Sequence, residues 1–167
     1  MKINLLIFTF LVLLAKTELF AYETIPYKTS KSSTIDTFGL PEKRALPIKE
    51  LNILVWNIKK AAHSHFERDY RSLINSFQII LLQEGIFNPN YQFDYLRAKN
   101  FQTISAQSFL LPFETDGTFT GVATLSKAPS VDTTYLKTIF KEPIVKTPKV
   151  TLFTTYRLQN SNKKLLV

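Results

Sequence analysis

The chain has no cysteine among its 167 residues, which excludes a disulfide framework and any chemistry that needs a thiolate. It also lacks an apolar run of bilayer-spanning length. Ile3 to Leu14, interrupted by Asn4 and Thr9, reaches about 18 Å as a helix, against a hydrocarbon layer of about 30 Å. No block of five Lys or Arg marks a nucleic-acid arm, and no internal repeat is present. Histidine is confined to His63 and His65. Apolar residues, by contrast, make up 45% of the chain and aromatics 13%, with 14 Phe. That composition supplies a packed core and argues against disorder throughout. The length allows at most one ordinary domain.

Residues 1–21 have the form of an export signal: Lys2 before the apolar stretch, and Ala21 as a small residue for cleavage. Leu19 fits the cleavage rule poorly, and a buried N-terminal element is the plainer alternative. The expectation is an exported protein, periplasmic or secreted. Removing 1–21 takes away Lys2, Lys16 and Glu18, so the formal charge falls from +8 to +7. Such a balance favours anionic partners, although many basic surfaces serve only solubility. Residues 22–50 are rich in Ser, Thr, Lys and Pro and predict a linker or an N-terminal arm. The domain is expected at 51–167.

Leu51 to Trp56 predicts a strand. Ser64-His65-Phe66-Glu67 has the form of a capping box, and Phe66, Tyr70, Leu73, Ile74 and Phe77 follow at helical spacing. Ile79 to Gln83 predicts a second strand, so Leu51–Gln83 is a β-α-β unit with parallel strands. Asn88-Pro89 marks a turn, and Tyr91 to Ala98 predicts a second helix. Strands are then expected at Phe101–Ile104, Phe109–Leu111, Phe119–Leu125, Val131–Leu136, Val150–Leu158 and Leu165–Val167. Asp116-Gly117 is a hairpin signal among them.

Two strands that end in Trp56-Asn57 and Gln83-Glu84 can present an amide and a carboxylate at one rim of a sheet. In a chain without thiols, that pair is hard-ligand chemistry suited to Mg²⁺ or Mn²⁺. The plainer alternatives are an edge carboxylate capping a turn and an Asn bonded to its own backbone. His63, His65 and Glu67 invite zinc, but alternate histidines diverge on a helix. Lys137, Lys141, Lys146 and Lys149 suit substrate phosphates or, more plainly, a solvated face.

Four stretches, LNILVWN (Leu51–Asn57), IILLQE (Ile79–Glu84), TGVATLSK (Thr120–Lys127) and Val150–Leu158 followed by Lys164–Val167, stand in family order. Together they resemble the first half of the endonuclease/exonuclease/phosphatase superfamily of metal-dependent phosphoesterases. The resemblance implies a four-layer α/β sandwich, with two sheets packed face to face between helices. It implies that Glu84 binds the catalytic Mg²⁺ or Mn²⁺ and that Asn57 lines the same site. The implied substrate is a phosphoester, in nucleic acid or phospholipid, with no stable protein partner. Lys59 stands where several family members carry an acid, and the later His- and Asp-bearing motifs of active members are absent. An incomplete, inactive copy is therefore expected, with a non-catalytic binding module for nucleic acid or anionic lipid as the alternative.

Overall fold

The computed structural model describes residues 34–88, 96–111, 117–138 and 147–167. The expected export signal, most of the second helix, Asp116, Lys141 and Lys146 lie outside them.

The β-α-β unit forms as its periodicity demands. Strand β2 (Ile53–Asn57) runs parallel to β3 (Ile79–Phe87), with Ile53 opposite Ile79 and Asn57 opposite Gln83. Helix α1 (Phe66–Leu73) makes the crossover. Leu54 and Trp56 pack toward it from β2, joined by Ile80 and Leu82 of β3. Trp56 lies 5.3 Å from Phe66 and 6.4 Å from Tyr70, ring centre to ring centre. The helical stripe is thus core packing, as its spacing predicts, except that Leu73 ends the helix exposed. Ile74 and Phe77 continue the packing from a tighter turn, Ile74–Ser76, that follows it.

The capping box does not form. His65 holds the N-cap position without a side-chain cap bond, so neither Ser64 nor Glu67 closes the helix start. A backbone bond replaces it: the Phe66 N–H donates to the His63 carbonyl at 2.9 Å. That bond tightens the chain one residue later than the box requires.

Strands β4 (Gln102–Leu110) and β5 (Phe119–Ser126) form an antiparallel pair, and β5 lies antiparallel to β3. The two segments expected at Phe101–Ile104 and Phe109–Leu111 are one strand, bent by a bulge between Gln107 and Phe109. Gly121 admits a close approach at this crossing, since a Cβ there would collide with the Ala106 carbonyl oxygen. After Ala128 the chain enters a second sheet of β6 (Ser130–Lys137), β7 (Val150–Arg157) and β8 (Lys164–Leu166), in that order and antiparallel. Leu46, Ile79, Ala128 and Tyr156 are the buried core between the sheets.

The sheet begins earlier than Leu51. Strand β1 (Ile35–Phe38) pairs antiparallel with β4, completing the order β1-β4-β5-β3-β2. Leu46 is fully buried; its N–H donates to the Arg157 carbonyl, and its own carbonyl accepts from Gln159 N–H. Residues 34–50 therefore tie the outer edge of the first sheet to the end of β7. Little in their sequence announces this, because a four-residue edge strand shows no readable period.

The fold is α/β with two packed sheets. Among the described residues its layers are α1, the five-stranded sheet and the three-stranded sheet.

Candidate functional site

Asn57 closes β2, and Glu84 sits in β3 at a bulge between Gln83 and Gly85. The bulge turns Glu84 into the left-handed region, at φ 53°. A bulge re-aims a side chain that strict alternation would place elsewhere. Here it brings the Glu84 carboxylate to the rim where β2 ends. The Asn57 amide Nδ2 donates to Glu84 Oε1 at 2.8 Å. The two residues singled out from sequence are thus joined directly, across neighbouring parallel strands.

The chain then makes an uncommon turn. Lys59, Lys60 and Ala61 all have positive φ, at 47°, 59° and 56°. Each such non-glycine residue costs about 1–2 kcal/mol, so the surroundings must enforce the turn. Two bonds do so from its base: Ile58 N–H donates to the Gln83 carbonyl at 3.0 Å, and Lys59 N–H donates to Asn57 Oδ1 at 3.0 Å. The Asn57 side chain is consequently used at both ends, which fixes its orientation.

This turn delivers Lys60, whose Nζ stands 3.3 Å from Glu84 Oε2. Sequence reasoning weighed Lys59 and passed over Lys60. Only the doubled lysine after Asn57 hints at it, and the direction of the second lysine depends on left-handed backbone that no pattern announces. The Asn57 amide holds the Glu84 carboxyl below its ordinary value, helped by Lys60 and by the charge of Lys149; partial burial opposes them. Lys149, from the approach to β7, thereby contributes to the same field. Burial draws the Lys137 ammonium down from its ordinary value.

His63 and His65 pack edge to face at 5.8 Å, and His63 Nδ1 accepts from the His65 backbone N–H at 3.3 Å. Among the described residues no three His, Cys, Asp or Glu side chains gather as a metal cage. The rim offers instead one half-exposed carboxylate beside an amide. A single carboxylate suits Mg²⁺, which keeps several waters and takes further oxygens from substrate phosphate. The donor set fits a hydrated hard cation held at Glu84, once the ammonium of Lys60 makes room.

No family model matches the chain. A UPF0294 protein of Photorhabdus laumondii subsp. laumondii is 32% identical over 118 residues, covering 71% of this chain and 42% of that protein. A UPF0294 protein of Vibrio cholerae serotype O1 is 28% identical over 129 residues, covering 76% of this chain and 43% of that protein. The chain spans less than half the length of these curated relatives. Among solved structures, an endonuclease/exonuclease/phosphatase family protein from Leptotrichia buccalis C-1013-b aligns with a TM-score of 0.48 at 14% identity. That alignment covers 70% of this chain and 53% of the other.

Proposed function

We propose that the Asn57–Glu84 rim is the cation-holding part of a phosphoester-hydrolysing centre of the endonuclease/exonuclease/phosphatase type, in an exported protein. The observation that carries this reading is the 2.8 Å bond between Asn57 and Glu84 at the carboxyl end of a parallel strand pair. Ligands of α/β sheets collect at such strand ends. When bound, Mg²⁺ or Mn²⁺ supplies polarisation of a phosphoryl oxygen and a more acidic water. Glu84 supplies the anionic oxygen for that cation. Asn57 holds the carboxylate in one orientation, and Lys60 and Lys149 add positive charge for an anionic substrate. The groups that touch Glu84 are an amide and an ammonium, and no histidine follows His65. This chain's own share of the reaction is therefore to hold and orient rather than to shuttle protons.

Mn²⁺ titration of the chain, followed by electron paramagnetic resonance, tests the reading. One Mn²⁺ is expected to bind in wild type and to be lost in Glu84→Ala. EDTA-sensitive hydrolysis of a phosphodiester such as bis-p-nitrophenyl phosphate is expected to stay at the Glu84→Ala level. Binding indifferent to Glu84 would defeat the proposal.

A second reading, a binding module for nucleic acid or anionic lipid, is favoured by a cleft of about 490 Å³ beside α1, in whose lining Arg71, Arg97 and Lys99 outnumber the one acid, Glu67. Salt-sensitive, metal-independent DNA binding that survives Glu84→Ala would favour it over the first.

A further inference from the structure

We propose that Lys60 is a built-in cation of this site: its ammonium holds the place at Glu84 that a divalent ion takes only by displacing it. The inference deepens the reading above and rests on it. Four links form a closed ring. Asn57 Nδ2 donates to Glu84 Oε1, and Glu84 Oε2 faces Lys60 Nζ. Lys60 follows Lys59 in the chain, and Lys59 N–H returns to Asn57 Oδ1. One asparagine thus fixes both the carboxylate and the turn that carries its counter-ion.

Ordinary surface lysines have free choice among neighbouring acids, and their pairs are worth little. Lys60 differs because it sits in a turn with positive φ on three successive residues, whose base is fixed where Ile58 N–H donates to the Gln83 carbonyl and Lys59 N–H to Asn57 Oδ1. Such strain persists only where the surroundings over-determine it, and it concentrates at working sites. With one oxygen engaged by an amide and the other facing an ammonium, the carboxylate is already compensated. An arriving Mg²⁺ or Mn²⁺ gains Glu84 only as the ammonium leaves. Lys60 is a positioning residue in this sense: it sets the threshold of cation entry and does no chemistry itself.

The experiment compares Mn²⁺ affinity in wild type, Lys60→Gln, Lys60→Arg and Glu84→Gln by electron paramagnetic resonance or calorimetry. Gln removes the charge with a polar side chain one bond shorter, and it bears the same backbone strain as Lys. Arg keeps the charge and guards against a general effect of substitution. Lys60→Gln should bind Mn²⁺ about twofold to fivefold more tightly than wild type, the range that an exposed ion pair allows. Lys60→Arg should match wild type, and Glu84→Gln should bind none. Equal or weaker affinity in Lys60→Gln, or equal tightening in Lys60→Arg, would overturn the role of Lys60. If binding were still lost in Glu84→Gln, the site itself would stand. Absence of Glu84-dependent binding in every variant would overturn the inference together with the reading beneath it.

Discussion

The two faces of β2 and β3 have opposite fates. On one face Leu54, Trp56, Ile80 and Leu82 pack with Phe66 and Tyr70 of α1 into an almost wholly apolar core. On the other, Ile79 is buried against Tyr156 and Ala128, but Ile53 and Val55 stand 39% and 61% exposed. The same alternation produces both faces, so the difference lies in what covers them. The helix follows β2 after the left-handed turn and covers it at Leu54 and Trp56. The second sheet approaches the first through β4, β5 and the 34–50 segment, and it leaves the β2 edge open among the described residues. The rim chemistry sits at that open edge, where a ligand has access and where stability depends least on local packing.

The largest expected effect breaks the covered side. Leu82→Ala should lower unfolding free energy by about 2–5 kcal/mol, read from urea denaturation, because a fully buried leucine leaves a cavity. Val55→Thr keeps the β-branch on the open face and should change stability by no more than about 0.5 kcal/mol. A loss well above 1 kcal/mol there would mean that Val55 is covered in solution, and the contrast between faces would disappear.

The smallest effect is electrostatic. The Glu84 carboxyl is held below its ordinary value of 4.5 in the folded protein. Its stabilisation is therefore complete above that value and is lost as pH falls through the depressed folded pKa. Because the side chain is 41% exposed, solvent screening limits the contribution to under about 1 kcal/mol. Stability measured from pH 7 down through the carboxylate range should fall slightly less steeply in Glu84→Gln than in wild type. Identical profiles would show that Asn57 and Lys60 do not hold the carboxylate in solution.

These contrasts show why parts of the molecule were legible and others were not. Leu51 to Glu84 could be read because period-two and period-3.6 patterns follow one another over short distances. The register brings Asn57 opposite Gln83, one residue short of Glu84, and the bulge in the longer strand β3 completes the meeting. The Ser64–Glu67 box misled, because its spacing matches but the backbone enters the helix one residue later. Residues 34–50 were invisible as structure: their bonds run to β4, Arg157 and Gln159, far away in the chain.

Sequence alone determined the β-α-β unit and the later strands from Phe119 onward, and it placed an amide and a carboxylate near one rim. Periodicity and strand length are local properties, and each strand carries its own. Only the tertiary structure decided that Lys60 reaches Glu84, that Glu84 sits on a bulge, and that Leu46 ties the two sheets together. The reason is physical: left-handed backbone and bulges are disfavoured locally, and they exist only because distant hydrogen bonds enforce them.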